Sequence, residues 1–225
     1  MIPQLAAMLA AMVAALSLGL DTLATQMSPE GYLMLVNPDY RLTADYVPDD
    51  LVYPDVKHSS SAYQMRREAA GALEELFAAA KEEAGLTLYA HSGYRSYGTQ
   101  QAIYQRKVLN SKNKAQMRRL VAEAGASEHQ LGLAMDIKGT PNGALNAAFG
   151  KSKAGVWLAE NAYRFGYIIR YKAEWTEVTS YAYEPWHIRY VGKEHAALLR
   201  ELDIPLEEYV EALRSAAFDE VTKGD

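Results

Sequence analysis

Three short segments of this sequence hold the residues whose types could do chemistry together. They are Ser92-Gly93-Tyr94-Arg95-Ser96, the run from Ser127 to Asp136, and Glu184-Pro185-Trp186-His187. The second has the form Ser-x-His-x-x-Gly-x-Ala-x-Asp. His129 and Asp136 are seven apart, so they cannot share a helix face as an i, i+4 pair does. They can converge if the chain turns after His129, with Gly132 allowing the turn, and then enters a strand that carries Asp136. Imidazole nitrogen and carboxylate oxygen suit Zn²⁺. A catalytic zinc needs a third protein ligand and an open position, and His187 is the best remaining candidate. The plainer readings stand beside this one. A single histidine is more often hydrogen-bonded than metal-bound, and Asp136 alone could cap a turn, although an acid in an apolar strand is costly unless paired. His58, His91 and His195 serve as internal controls, since nothing around them resembles a ligand set.

The elements that must position these residues follow from the hydrophobic pattern. Residues 28–60 hold Pro29, Pro38, Pro48 and Pro54 among short apolar runs, which predicts an extended, loop-rich arm. Ala69, Ala70, Leu73, Leu76, Phe77 and Ala80 recur at helical spacing within a helix expected over Tyr63 to Glu83, ended by Gly85. A strand is expected at Leu86 to Ala90, a helix from Ser96 through Lys107, and a short one at Gln116 to Ala124. A polar turn over 126–132 leads into the strand Leu133 to Ile137. A helix over Ala154 to Phe165 stops at Gly166. Strands follow at Tyr167 to Arg170 and Trp186 to Val191, and two helices, Lys193 to Leu202 and Pro205 to Ala216, close the chain. Helices and strands mix without regular βαβ alternation or repeats, which makes the fold class α+β. The expected organisation is an apolar segment over 1–26, the arm over 27–60 and one catalytic domain over 61–225.

With 225 residues, 49% apolar and 23% charged, the chain is long enough for one sizeable core. Its net charge of −5, with no Lys/Arg-rich run standing out, argues against nucleic acid as a partner. The absence of cysteine excludes disulfides and thiolate metal sites and leaves the compartment unread. Sixteen tyrosines against four phenylalanines supply side chains that pack and hydrogen-bond at once. Leu5 to Leu20 carries no charge and is shorter than a membrane span normally needs. Its length suits an export or anchor segment with a small-x-small site at Thr22-Leu23-Ala24, although no Lys or Arg precedes it. The alternative is an amphipathic helix.

Ser92 to Ser96 with Gln100, Ser127 to Asp136, and Glu184 to His187 continuing through Arg189-Tyr190-Val191-Gly192 resemble the VanY-type D-alanyl-D-alanine carboxypeptidases. These are zinc metallopeptidases related in fold to the hedgehog signalling domain. Pro48 to Val52 and Phe165 to Tyr171 share the likeness, which covers roughly residues 30 to 200. The resemblance implies a small, mostly antiparallel central sheet flanked by helices. It implies that His129, Asp136 and His187 bind one Zn²⁺, that Glu184 is the base acting on zinc-bound water, and that Arg95 steadies the substrate or its developing oxyanion. Gln100 and Ser127 match positions that contact substrate. The implied activity is D,D-carboxypeptidase cleavage of a D-Ala-D-Ala terminus, removing the last D-alanine from peptidoglycan stem peptides or their precursors, by a monomer outside the cytoplasm that touches membrane only through its amino-terminal segment. Rivals are an L,D-carboxypeptidase acting on tetrapeptide stems, a peptidoglycan endopeptidase and a zinc-bearing binding module. One departure is Ser180-Tyr181, where the family carries a Thr-Gly pair.

Overall fold

The structure is a computed structural model that describes residues 24–223, with side chains described for residues 24–215. The apolar stretch Leu5 to Leu20 and most of the small-x-small site therefore lie outside the described residues. No described helix is long and apolar enough to cross a membrane.

Four strands form the main sheet: β3 (Tyr89–Ser92), β4 (Ala134–Lys138), β5 (Tyr167–Tyr171) and β6 (Glu184–Tyr190). Their order is β3-β4-β6-β5, every pairing is antiparallel, and β1 (Leu51–Val52) with β2 (Met65–Arg66) makes a separate two-stranded ribbon. The helices are α1 (Arg67–Ala84), α2 (Tyr97–Tyr104), α3 (Lys114–Arg118), α4 (Lys153–Asn161), α5 (Thr176–Thr179), α6 (Lys193–Leu202) and α7 (Leu206–Lys223). This is the α+β architecture expected from the sequence.

Strand alternation explains how the sheet carries two different faces. Met135 and Ile137 of β4 and Ile188 and Tyr190 of β6 join one hydrophobic core with Ala69, Leu73, Leu76 and Phe77 of α1. The residues between them, Asp136, His187 and Arg189, are consequently turned to the other face, yet they too are buried. A second apolar cluster packs α6 and α7 through Leu199, Leu202, Leu206 and Val210 against Leu33 and Leu35. The loop-rich segment over 27–60 is thus bound into the molecule, with Leu33 and Val36 fully buried.

Several boundaries differ from the sequence reading. Helix α1 begins at Arg67 because Met65 and Arg66 pair with β1 instead. Gly85 closes it in the left-handed conformation, its N–H returning to Ala80 and Lys81 carbonyls. Strand β3 starts later than expected and runs on to Ser92, because its partners in β4 are Lys138, Ile137 and Asp136. After α2 the backbone widens into a π-helical turn over Gln105–Leu109, and α3 stops at Arg118 instead of continuing to Ala124.

Candidate active site and metal centre

Asp136 and His187 are direct cross-strand partners of β4 and β6, so the sheet register itself sets them side by side. His129 comes from the 3-10 turn Glu128–Leu131, which ends at Gly132 with φ +69. A side chain at 132 would be strained there, and its Cβ would come within 2.9 Å of Leu51. Glu184 and His187 are three apart, which a regular strand would place on opposite faces. The β5–β6 register resolves this: Ile169 pairs with Ile188 but Tyr171 pairs with Glu184, so β6 is irregular over this stretch. Both residues line the same cleft of about 310 Å³.

Candidate ligand atoms of His129, Asp136 and His187 all lie within 4.8 Å of one another. His129 Nδ1 lies 2.8 Å from the Gly93 carbonyl. A carbonyl only accepts, so Nδ1 holds the proton and Nε2 presents its lone pair toward Asp136 Oδ2, 3.5 Å away. His187 Nδ1 is 3.2 Å from Asp136 Oδ1, while its Nε2 is 3.3 Å from Glu128 Oε2. Two imidazoles and one carboxylate, each histidine held by an acceptor on its far side, fit the donor set and outer shell of a zinc site. Among the described residues no other His/Asp/Glu group is so arranged. The control histidines have other uses: His58 stacks on Tyr63, His91 bonds Ser59, and His195 bonds Tyr209.

The electrostatics divide these groups. Burial pulls His129 down and Arg95 adds to the pull, which favours the neutral imidazole a metal needs. Burial also opposes charge on His187, but Asp136 and Glu128 outweigh it and raise its pKa to about 9. Asp136 is penalised by burial yet held well below the usual carboxylate range by His129 and His187. Glu184 behaves oppositely: burial pushes its carboxyl up to about 8, with His187 and Arg95 opposing the rise and Asp136 adding to it.

Arg95 enters the cleft from the turn after β3. Its backbone N–H donates to the His129 carbonyl, its Nη1 to Gln100 Oε1 at 2.6 Å and its Nη2 to Ser92 Oγ at 3.0 Å. Gln100 lines the cleft but is 1% exposed, and its amide is committed at both ends, to Arg95 and to the Ala122 carbonyl. It orients the guanidinium. Ser127 lines the cleft, and its hydroxyl does not cap the turn that follows.

Sequence reasoning missed the layer behind the metal group. Glu128 is buried, and its Oε1 accepts from Arg170 Nε and Arg189 Nη1, both at 2.8 Å. Arg170 continues to Glu207 of α7 through two hydrogen bonds of 2.9 and 2.6 Å. Arg189 donates to the Tyr32 and Met34 carbonyls, both at 2.9 Å. Burial alone would raise the Glu128 pKa, but the two arginines hold it well below the usual range. The available signal was an arginine in each of two apolar strands, costly unless paired.

The turn before β6 holds the pair that departs from the expected pattern. Ser180, the first residue of the departing Ser180-Tyr181 pair, has φ +67, a conformation that favours glycine. The Ser-x-x-Lys arrangement that marks penicillin-binding serine enzymes occurs once by spacing, Ser111 to Lys114, but Ser111 Oγ accepts from the Asn113 N–H in a loop away from the cleft lining.

Comparison with known proteins agrees with this architecture. A putative carboxypeptidase, YodJ, of Bacillus subtilis is 47% identical over 199 residues, covering 86% of this chain and 72% of that protein. The solved structure of the LdcB LD-carboxypeptidase, described in terms of peptidoglycan recognition, matches with a TM-score of 0.76 and 47% identity over 82% of this chain and 88% of its own. A Zn(II) complex of a glutamate-to-alanine mutant of VanY, a D,D-pentapeptidase from a VanB-type vancomycin resistance cassette, matches at TM-score 0.67 and 36% identity over 80% of this chain and 98% of its own. Residues 62–193, which carry every one of the convergent side chains from Arg95 to His187, match the VanY family described as D-alanyl-D-alanine carboxypeptidase, and the chain belongs to that family.

Proposed function

We propose that this protein is a zinc-dependent carboxypeptidase that releases the terminal D-alanine of peptidoglycan stem peptides. The observation that carries the reading is the convergence of Arg95, Glu184 and the trio His129, Asp136 and His187 on one cleft from three distant segments. Zinc held by that trio would supply a Lewis acid that acidifies water and polarises the scissile carbonyl. The chain's own groups do the rest. Arg95, oriented by Gln100 and Ser92, presents a planar fork to the substrate carboxylate or to the oxyanion formed as the carbonyl is attacked. Glu184 takes a proton from the attacking water while the carbon–oxygen bond forms. It then delivers that proton to the amide nitrogen as the carbon–nitrogen bond breaks, freeing D-alanine. Burial favours a carboxyl that can hold the proton between these two steps.

Two substrates fit this chemistry. The tetrapeptide stem, cut at an L,D bond, takes precedence over the D-Ala-D-Ala terminus that led the sequence reading, because the likeness to the LdcB LD-carboxypeptidase exceeds that to VanY in both identity and TM-score. The pentapeptide ending in D-Ala-D-Ala is the second reading, supported by the family match. Mass spectrometry of defined tetrapeptide and pentapeptide stems incubated with zinc-loaded protein decides between them. Loss of one alanine from the tetrapeptide with the pentapeptide intact supports the first reading, and the reverse supports the second. No loss from either peptide would remove the carboxypeptidase proposal.

A further inference from the structure

Contrary to the expectation of no Lys/Arg-rich run, a strongly cationic stretch lies beside the cleft. From Gln105 to Leu120 the sequence carries Arg106, Lys107, Lys112, Lys114, Arg118 and Arg119 and no Asp or Glu, in a chain whose net charge is −5. Arg118 and Arg119 have local partners, Tyr104 and Glu177. Arg106 and Lys107 do not: both are exposed, and among the described residues neither has a carboxylate within 4.0 Å. Both nonetheless line the cleft. They stand on the π-helical turn Gln105–Leu109, a local widening that costs regular helix geometry and recurs at functional positions. Three acids share the lining: Glu128 and Asp136 are buried and paired with arginines and histidines, and Glu184, though it feels the Lys107 charge, makes no ion pair with it.

Arg95 already provides the cation that a terminal carboxylate or oxyanion needs. Arg106 and Lys107 add two exposed cations without ion-pair partners to the same cleft, beyond that need. We propose that Arg106 and Lys107 form an anion subsite that holds a second carboxylate of the peptide, upstream of the scissile bond. The inference rests on the reading of the cleft as a carboxypeptidase site and adds that the preferred stem peptide is one with a free acid on a residue other than its last. Exposed cations paired with a ligand carboxylate act mainly on affinity and encounter, so the preference falls on KM more than on kcat, and salt weakens it.

The test uses two tetrapeptides identical except that the upstream carboxylate is free in one and amidated in the other, with zinc-loaded protein. Wild type should prefer the free acid by about tenfold in kcat/KM, mostly through KM, with the ratio shrinking as salt is raised. In Arg106→Gln/Lys107→Gln the ratio should fall to near one. Arg106→Glu/Lys107→Glu should favour a third peptide that carries an amine at that position. A variant that had merely lost packing could not gain this reversal. Cleavage of both acid and amide at equal rates by wild type overturns the subsite while leaving the carboxypeptidase reading intact. Retention of the preference in the double variant also overturns it. No release of alanine from any peptide removes the underlying reading and the subsite with it.

Discussion

At the scale of single residues, the proposed chemistry turns on Glu184. Its ordinary pKa of 4.5 is raised to about 8, first by burial and then by the Asp136 charge, against the opposing pull of His187 and Arg95. A base must be ionised to act, so kcat/KM should rise with pH as Glu184 loses its proton. A divalent cation on the neighbouring trio favours the carboxylate and moves that rise downward. The acid limb of the loaded enzyme is therefore expected below about 8. Glu184→Gln keeps the shape but cannot accept the proton. Turnover should fall by roughly a hundredfold or more, with zinc content unchanged. A variant that kept both its zinc and near-normal turnover would show that the base lies elsewhere.

At the scale of elements, the question is why the metal trio was legible in the sequence and its support was not. His129, Asp136 and His187 sit in motifs whose residue types announce them, and an acid inside the apolar run Leu133 to Ile137 already demanded a partner. Arg170 and Arg189 carried the same kind of signal, but their common partner Glu128 lies 42 and 61 residues away, beside the more conspicuous His129. Sequence spacing does not reveal which distant charges a sheet brings together. The irregularity in β6 was partly legible, because Pro185 hints at a break, yet only the pairing of Tyr171 with Glu184 shows where it falls. Boundaries at α1 and β3 shifted for a related reason: long-range pairing with β1 and β4 overrode local pattern. The hidden layer makes a prediction of its own. Glu128→Gln removes the carboxylate that fixes His187 Nε2, so zinc affinity should fall by about ten- to a hundredfold. Glu207→Gln breaks the paired contact of α7 with Arg170 without touching His187, so it should lower thermal stability with a smaller loss of zinc affinity. Competition with a chromophoric chelator measures the affinity in both folded variants. Equal losses in the two would show that Glu128 acts through global stability and not by orienting the histidine.

At the scale of the whole molecule, the same buried charges join parts of the chain that are far apart in sequence. Glu128 sits between the sheet arginines, Arg170 reaches α7, and Arg189 holds the backbone at Tyr32 and Met34. The trio at its front edge gathers Asp136 and two imidazoles in the buried layer, an arrangement that a cation satisfies and that the unfolded chain cannot reproduce. Metal binding should therefore be coupled to global stability. A ligand at a thousandfold over its dissociation constant stabilises the folded state by about 4 kcal/mol. For a chain of this size each kcal/mol corresponds to about 2–4 °C in Tm. Removing metal with a strong chelator should thus lower Tm by about 8–16 °C, and added zinc should restore it. The same titration on His129→Ala or His187→Ala should show little zinc-dependent shift, because each variant lacks one donor of the set. Calorimetric scans of wild type and variants, with and without zinc, check this directly. A wild-type Tm indifferent to chelator and zinc, or a full zinc shift in both alanine variants, would contradict the assignment of the trio as the metal centre.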